Sequence, residues 1–345
     1  MHAADHMNAI PAPAEVVSRT MRAVVRREYG TPDVLSLGEA ERPVAGDAEV
    51  LVRVHAVSPN VGDHHAVTGK PYLIRLTPFG GLPRPKNLVP GAMMAGVVEA
   101  VGARVTTFRP GDEVFGQASA GAFAEYVVLP AEHLAPKPSN LSFDEAAAVP
   151  WGATALQGLR DVAGLKAGQR VLVNGASGGV GTWTVQVAKA LGADVTAVCS
   201  TRNVEMVRAL GADEVLDYTK TDFAGGGARF DVMMDLVGNR PLSECRGVLK
   251  AGGIYLPCSG GGGDWVGPMM RILWGLLSSL FTSKKVKTFV MAPKRADLLF
   301  LKELVEAGKA KPVIERSYPL NEVVEALKHV GEGHARGQIV IRVAG

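Results

Sequence analysis

The stretch that decides the fold is Val171-Leu172-Val173-Asn174-Gly175-Ala176-Ser177-Gly178-Gly179-Val180-Gly181. Its three leading aliphatic residues predict a short buried strand, and the glycine-rich turn opens a helix predicted over 181–191, which Gly192 ends. Ala176, Gly178 and Gly181 occupy the A-x-G-x-x-G version of the dinucleotide fingerprint. Because this motif stands between a strand and a helix, it indicates a Rossmann-type nucleotide site.

The spacing of the motif suits a pyrophosphate. Gly178 would let the backbone approach the phosphates, and Gly181 would let the helix pack closely on the strand. The N–H groups that open the helix would face the phosphates with the positive end of the helix dipole. A glycine-rich turn without a ligand is the alternative. We predict a continuous run of cofactor-binding residues: Ala176, Ser177, Gly178, Gly179, Val180 and Gly181.

The end of the second strand predicts which dinucleotide binds. An NAD enzyme usually carries Asp or Glu there, about 20 residues after the motif, to hold the ribose diol. Here the strand predicted over 195–198 runs into Cys199-Ser200-Thr201-Arg202-Asn203, which contains no acid. Arg202 offers a planar fork of donors for a 2′-phosphate, and Ser200 and Thr201 offer neutral donors. We therefore predict NADPH, with a solvent-exposed Arg202 at a helix start as the alternative.

The rest of the chain divides by pattern. Short strands with glycine punctuation predict a small β-barrel at 21–25, 49–54, 96–102 and 113–115. Ser142 and Glu145 have capping-box spacing before an Ala-rich helix. Strands and helices then alternate, which predicts a parallel sheet covered on both faces, with strands at 171–173, 195–198, 215–216, 232–235 and 254–256. The chain closes with helices at 296–307 and 321–330 and a strand at 338–343.

Composition narrows the function classes. The 345 residues suffice for two domains, and a net charge of +3 is too small to suggest nucleic-acid binding. The three cysteines, at 199, 245 and 258, form no close pair, so neither a disulfide framework nor a Cys-rich zinc site is indicated. This pattern suits a reducing compartment, and we predict a cytoplasmic protein. Residues 1–20 show no secretory signal and are predicted to be a flexible leader.

The most apolar stretch runs from Trp265 to Phe281. Gly267, Pro268 and Arg271 interrupt it, and it is shorter than the roughly 20 apolar residues that span a bilayer. We therefore predict no integral membrane segment and expect a buried or pocket-covering helix. A helix that contacts a membrane or a second subunit is the alternative, and a homodimer is left open.

Several further runs carry a family resemblance: 96–102, 110–116, 121–126, 210–213 and 333–337, together with the 174–181 motif. From about residue 21 to the C-terminus the chain resembles the medium-chain dehydrogenases/reductases, and its 174–181 motif resembles their quinone oxidoreductase branch in particular. The resemblance implies a GroES-like β-barrel catalytic domain over 21–147 and 293–345. A Rossmann domain, a doubly wound parallel sheet, would be inserted over 148–292.

The zinc-binding positions of that family depart from its pattern. Zinc-dependent members carry Cys near position 58 and Gly-His-Glu where this chain has Gly91-Ala92-Met93. Ser58, Ala92 and Met93 are poor substitutes at a site that needs nitrogen, thiolate or carboxylate ligands. His64 and His65 are adjacent, so in an extended segment they would point to opposite faces and would not chelate one ion. We predict a zinc-free enzyme.

The resemblance also implies the residues around the nicotinamide. Asn60 matches a family Asn that faces it, His65 stands where a first tyrosine would be, and Tyr72 lies near the second. We take Asn60, His65 and Tyr72 as candidate catalytic residues, with Asp63 holding their loop and His64 facing solvent. Structural loop roles are the alternative for all three. Further cofactor contacts are expected from residues elsewhere in the chain: Thr154 beside the nicotinamide, Tyr218 at the 2′-phosphate, and Val237 and Gly238 at the ribose.

Without a metal, hydrogen-bond donors must stabilise the negative charge that hydride transfer places on the substrate oxygen. A quinone or an α,β-unsaturated carbonyl spreads that charge and needs less help than a plain ketone. We therefore predict NADPH-dependent reduction of such a small molecule. The alternatives are a zinc-free NADP-dependent alcohol or aldehyde dehydrogenase, and a non-catalytic NADPH-binding sensor or scaffold, which His65 in place of a tyrosine keeps open.

Overall fold

The structure, a computed structural model, describes residues 18–77, 80–259, 263–266, 269–279 and 282–343. The predicted leader therefore lies outside the described residues up to position 17, and the first strand begins at Thr20. The described chain forms β1 Thr20–Val25, β2 Ser36–Glu41, β3 Glu49–Ser58, β4 Met93–Val101, β5 Glu113–Gln117, β6 Tyr126–Pro130, β7 Leu134–Pro136, β8 Arg170–Asn174, β9 Asp194–Cys199, β10 Glu214–Asp217, β11 Phe230–Asp235, β12 Leu249–Pro257, β13 Lys285–Val286, β14 Ile314–Pro319 and β15 Gln338–Arg342.

The helices connect and cover these strands. They are α1 Val61–Thr68, α2 Phe143–Ala147, α3 Gly152–Leu156, α4 Gly179–Ala190, α5 Val204–Ala209, α6 Leu242–Gly247, α7 Gly263–Val266, α8 Met269–Ser278, α9 Arg295–Glu306 and α10 Val323–Gly331. Of the shorter helical turns, the 3-10 helix Tyr72–Leu76 after α1 bears on function. Among the helices the structure describes, none is long and apolar enough to cross a bilayer.

One sheet is parallel and has six strands in the order β10-β9-β8-β11-β12-β13. The chain winds outward from β8 to β10 and then returns to β11 on the other side of β8. This order confirms the predicted doubly wound sheet. It places a topological switch point between β8 and β11, where ligands bind at the carboxyl ends of strands.

A second sheet is mixed and runs β14-β15-β3-β4-β5-β7, with β6 paired to β3. Strands from both chain ends meet in it, since β15 pairs with β3. Valines of β3 and apolar residues of β15 fill its interior, among them Val50, Val52, Val54, Ile339 and Ile341. This sheet is the predicted barrel built from both ends of the chain, while the boundaries at 147/148 and 292/293 stay a prediction.

The segment between the two sheets is helical but broken. Ser142 and Glu145 form the predicted capping box at the start of α2. A 3-10 turn at Val149–Trp151 separates α2 from α3, and a π-helix at Gln157–Ala163 follows, ended by Gly164 in a left-handed conformation. The expected Ala-rich helix is therefore a series of short helical pieces.

Candidate functional site

The glycine-rich turn joins β8 to α4, which begins at Gly179, two residues earlier than predicted. Gly175 has φ 88°, a conformation that favours glycine. A Cβ on Gly181 would lie 2.1 Å from the Gly175 carbonyl oxygen, so the helix approaches the strand as closely as the motif predicts. A Cβ on Gly178 would meet only that same oxygen, at 3.7 Å. The space above the turn is therefore open at the point where a phosphate would lie.

A buried carboxylate organises the switch point. Asp235, at the end of β11, is fully buried, and its Oδ1 accepts hydrogen bonds from Asn174 Nδ2 at 2.8 Å and Gly238 N at 2.9 Å. Its Oδ2 accepts one from the Tyr255 hydroxyl at 2.7 Å. The Val237 side chain lies over Gly175, where a Cβ would come within 2.7 Å of it. Val237 and Gly238 are thus held against the glycine-rich turn, next to the predicted cofactor run.

The Asp235 network was not among the predicted site residues. Asn174 and Asp235 end two neighbouring parallel strands, so their side chains meet at one edge of the sheet. Polar residues at the ends of two otherwise apolar strands were the signal that could have revealed the pair.

The end of β9 lies beside the same turn. Asn203, only 4% exposed, donates from Nδ2 to Ser177 Oγ at 3.0 Å and to Ser200 Oγ at 3.2 Å. Arg202 is exposed, and its Nη2 donates to the backbone oxygen of His334 at 2.9 Å. Ser200 therefore adjoins the motif through Asn203, next to Arg202 in the chain, and contacts of Ser200 and Arg202 with a cofactor stay predictions.

Thr201 has a different partner from the one predicted. Its hydroxyl donates to Asp217 Oδ2 at 2.6 Å, and this bond heads the interactions that lower the pKa of Asp217 to about 2. Lys220 Nζ lies 3.5 Å from the same carboxylate. Tyr218 follows Asp217 and is 58% exposed. The site thus contains an ionised carboxylate that sequence reasoning missed, and contacts of Thr201 and Tyr218 with a cofactor stay predictions.

The candidate reacting segment is helical and not extended. Asn60 caps α1 in a capping box: Asp63 N donates to Asn60 Oδ1 at 3.1 Å, and Asn60 N donates to Asp63 Oδ2 at 2.9 Å. Asp63 therefore holds the loop, as predicted. Burial raises the pKa of Asp63 to about 7, against the opposing effects of backbone N–H groups and Arg26.

The two histidines lie one after the other on α1, so the expected extended geometry is wrong. Their ring centroids are 6.2 Å apart. His64 is half-buried against the end of α10, where a Cβ on Gly331 would come within 2.6 Å of its Nε2, and the expectation that it faces solvent is wrong. Burial lowers the pKa of His65, partly opposed by a hydrogen bond to the Lys70 backbone. His65 is therefore a neutral imidazole at pH 7.

Tyr72 opens the 3-10 helix that follows α1, after the left-handed Gly69. Its ring lies 5.1 Å from the Trp265 ring and 4.8 Å from the Arg75 guanidinium. Asn60, His65 and Tyr72 thus belong to one continuous segment, and their convergence on a substrate stays a prediction.

A hydrogen-bonded path joins this segment to the glycine-rich turn. Ser58, two residues before Asn60, accepts a hydrogen bond from Trp151 Nε1 at 2.8 Å and donates one to the Ile339 oxygen at 2.9 Å. The Trp151 ring lies against Gly179, where a Cβ would come within 2.7 Å of it. Thr154, three residues after Trp151, is half-buried at the same junction. The barrel segment therefore leaves its strand beside the start of α4.

The C-terminal segment closes the turn from the other side. Gly337 N donates to the Ser177 oxygen at 2.8 Å, and Gln338 Nε2 donates to the Gly179 oxygen at 2.7 Å. Sequence reasoning missed Ser58, Trp151 and Gln338 as positioning residues, because each acts through a partner far away in the chain.

The side chains at positions 58 and 93, where zinc-dependent members carry ligands, are packed into the fold. Ser58 is fully buried, and its hydroxyl is engaged by Trp151 and Ile339. Met93 and Met94 are buried in the two cores. Within the described ranges, no group of three or more His, Cys, Asp or Glu residues is placed to hold an ion.

Comparison with known proteins identifies relatives of this arrangement. Residues 46–139 match the family described as alcohol dehydrogenase GroES-like domain, and residues 210–341 match the family described as zinc-binding dehydrogenase. The chain is 34% identical to the chloroplast envelope quinone oxidoreductase homolog of Arabidopsis thaliana, over 87% of this chain and 91% of that protein. It is also 34% identical to 2-methylene-furan-3-one reductase of Solanum lycopersicum, over 98% of this chain and 82% of that protein.

Among solved structures, the quinone oxidoreductase from Coxiella burnetii superposes with a TM-score of 0.82 at 29% identity, covering 94% of this chain and 100% of that one. The similarity therefore spans both sheets and the site between them.

Proposed function

The chain belongs to the medium-chain dehydrogenases/reductases, and from this premise we propose that it transfers a hydride from NADPH to a quinone or an α,β-unsaturated carbonyl without zinc. Membership makes it an oxidoreductase that uses a nicotinamide cofactor. The choice of NADPH, the absence of zinc and the conjugated acceptor are the proposed parts. The observation that carries the proposal is the Ser58 hydroxyl, which stands where zinc-dependent members carry Cys and is buried between Trp151 and Ile339.

The residues present suit a dinucleotide. The open space above Gly178 and the N–H groups at the start of α4 suit a pyrophosphate. The exposed Arg202 guanidinium suits a 2′-phosphate, because only one of its nitrogens is engaged by the His334 oxygen. The carboxylate of Asp217 has its own donors in Thr201 and Lys220, so it does not cancel that charge directly. These features favour NADPH over NADH.

The absence of zinc is supported by side-chain chemistry. The Ser58 hydroxyl already donates to one backbone oxygen and accepts from an indole N–H, and a neutral hydroxyl is a much poorer zinc ligand than a thiolate. A methionine at 93 and an alanine at 92 supply neither imidazole nor carboxylate. We propose that hydrogen-bond donors replace the metal in stabilising charge on the substrate oxygen.

When bound, the reduced nicotinamide supplies the hydride. The chain's own part is to orient the acceptor and to offer donors to its oxygen. His65 is kept neutral by burial and so has a single ring N–H, which would donate to the substrate oxygen in place of the Lys70 backbone. The Tyr72 phenol and the Asn60 amide Nδ2 are the other proposed donors, since Asn60 Oδ1 already caps α1. These neutral donors match an acceptor whose charge is delocalised.

The test is a steady-state panel on purified protein: 1,4-benzoquinone, an enone and a saturated ketone, each with NADPH and with NADH, and simple alcohols with NADP⁺ and with NAD⁺. The proposal predicts NADPH-dependent reduction of the first two. Turnover confined to alcohols and ketones would contradict it.

An alcohol or aldehyde dehydrogenase is the second candidate, favoured by the match of residues 46–139 to the alcohol dehydrogenase GroES-like family. The same panel separates the two, because an alcohol dehydrogenase would oxidise simple alcohols with NADP⁺. Cofactor binding without turnover across the panel would favour the sensor alternative.

A further inference from the structure

The connection between β12 and β13 presents apolar side chains to solvent. On α8, Leu273, Leu276 and Leu277 are 49%, 41% and 47% exposed, and Trp265 on α7 is 73% exposed. We call these four residues the apolar rim. A buried helix, one part of the expectation for the 265–281 stretch, is therefore wrong for these residues, while a pocket-covering helix stays a prediction and Phe281 lies outside the described residues.

The opposite side of α8 faces the parallel sheet. A Cβ on Gly275 would lie 3.0 Å from Val286 of β13, and Ser279 Oγ accepts a hydrogen bond from Val286 N at 2.9 Å. Arg246 Nη2 donates to the same Ser279 hydroxyl at 3.1 Å. Because Gly275 and Ser279 form the inner side, the exposed leucines lie on the outer side of the helix.

The apolar rim continues onto the barrel side of the molecule. Trp265 meets the Tyr72 ring at 5.1 Å, and Leu73 and Leu76 of the adjoining 3-10 helix are 41% and 67% exposed. Exposed apolar side chains that adjoin one another over this extent mark an interaction site, whereas single exposed ones such as Val44 do not.

The charge around the rim indicates which partner fits. Residues 265–294 contain no Asp or Glu, but they contain five basic residues: Arg271, Lys284, Lys285, Lys287 and Lys294. Lys285 is exposed and its Nζ lies 3.5 Å from the Ser279 oxygen at the end of α8, whereas Lys287 Nζ donates to the Val162 oxygen at 2.7 Å, on the other face of the strand from Val286 and α8. A second copy docked through the same surface would bring two such basic segments together, which costs free energy. An anionic surface would instead attract them.

Helices that lie in the interface of an anionic bilayer typically carry exposed leucines and tryptophan flanked by lysines. Tryptophan suits that depth because one part of its ring is apolar and its N–H is polar. We propose that the apolar rim and Lys285 dock the protein peripherally on an anionic lipid bilayer. This inference does not depend on the proposed reaction.

The first test measures binding of the full chain to vesicles of 70% phosphatidylcholine and 30% phosphatidylserine, by flotation. We expect binding that is lost in pure phosphatidylcholine or at high salt. Leu273→Asp with Leu277→Asp should weaken binding at least about 10-fold, because charged side chains would meet the acyl region. Lys285→Gln should weaken it about 5-fold, the loss of one charge near the surface.

Matched controls keep the test specific. Val44→Asp changes an equally apolar residue that is 87% exposed elsewhere, and Lys309→Gln removes an exposed charge outside the segment. Both should bind vesicles like the wild type. Equal binding by all variants, or no vesicle binding by the wild type, would overturn the proposal. A dimer that forms without lipid and is lost in the double variant would assign the rim to a second copy.

Tryptophan fluorescence provides a test that needs no variant. Trp151 and Trp183 are buried, at 7% and 0% exposure, while Trp265 and Trp274 are 73% and 63% exposed. Lipids brominated in the acyl chain should therefore quench the exposed pair when phosphatidylserine is present. Unchanged fluorescence on vesicles that bind the protein would contradict docking through the rim.

Discussion

In the proposed function, the preference for NADPH over NADH depends on Arg202. Its guanidinium is exposed at the end of β9, tied to the motif through its neighbour Asn203 and held by the His334 oxygen. The sequence predicted this residue because an acid was missing and a base was present. It could not predict the His334 contact, which joins positions 132 residues apart.

Arg202→Ala should weaken NADPH binding about 10- to 150-fold, the loss of one charge-assisted partner worth roughly 1.5–3 kcal/mol. NADH binding should change little, because NADH has no 2′-phosphate. Fluorescence titration with both cofactors measures the difference. Arg208→Ala, which removes an exposed arginine paired with Glu205, serves as the control. Equal losses for both cofactors would show that Arg202 supports the fold.

The protonation of Asp63 makes the free energy of unfolding depend on pH. Its folded-state pKa of about 7 is above the ordinary value of 3.8, so the folded protein holds this proton more tightly than the unfolded chain. The resulting stabilisation is complete below about pH 4 and is lost as pH rises through about 7. In Asp63→Asn this dependence disappears, while the amide oxygen can still accept from Asn60 N.

Urea denaturation of the wild type and Asp63→Asn between pH 4.5 and 7.5 checks this. The free energy of unfolding of the wild type relative to the variant should fall with rising pH, by up to about 1.4 kcal/mol per pH unit. Asp33→Asn, at an exposed aspartate whose pKa is lowered, should not show this fall. A pH-independent difference between wild type and Asp63→Asn would refute the assignment.

Among the helices and strands, α1 could not be predicted from the sequence. The strands 21–25, 49–54 and 171–173 were predicted because alternation and aliphatic runs carry their own signal. Helix α1 has eight residues without an apolar stripe, so no period revealed it. Its signals were local: Asn60 and Asp63 in capping-box spacing, and Gly69 as the left-handed end. The packing of His64 against α10 depends on tertiary contact and had no local signal.

The segment formed by α1 and the 3-10 helix is proposed to supply the hydrogen-bond donors. His65→Ala and Tyr72→Phe should each lower turnover on quinones about 5- to 30-fold, or roughly 1–2 kcal/mol, because delocalised charge needs less from each donor than the roughly 3 kcal/mol of a localised oxyanion. NADPH affinity should stay nearly intact. His64→Ala, on the same helix but facing α10, is the matched control. Full turnover in both variants and their combination would move the donors elsewhere.

The hydrogen bond between Ser58 of β3 and Trp151 of the 3-10 turn should couple these two elements energetically. Ser58→Ala leaves the buried Trp151 N–H without its partner, which costs about 1–3 kcal/mol of stability. Trp151→Phe removes the other half of the pair. In a double-mutant cycle by chemical denaturation, the two changes should couple by at least about 0.5 kcal/mol. Strict additivity would show that the bond does not join the two elements.

For the whole molecule, the order β10-β9-β8-β11-β12-β13 and the return of β15 to β3 account for the shared site. Alternating strands and helices predicted the first sheet, and the family resemblance implied the second. Which residues meet across the two sheets could not be predicted, because Ser58, Trp151 and Gln338 find partners 93 to 281 positions away. The comparisons support membership of the medium-chain dehydrogenases/reductases and oxidoreductase activity with a nicotinamide cofactor. Homodimer formation and a cytoplasmic location stay predictions.

Quinone reduction without zinc is tested most directly by measuring the activity of protein that has been shown to be free of metal. The protein is treated with 1,10-phenanthroline, its zinc content is measured by mass spectrometry, and NADPH-dependent turnover is recorded on 1,4-benzoquinone and on a saturated ketone. We predict far less than one zinc per chain before treatment, unchanged quinone reduction after it, and slower reduction of the ketone. Stoichiometric zinc whose removal abolishes quinone reduction would contradict the account.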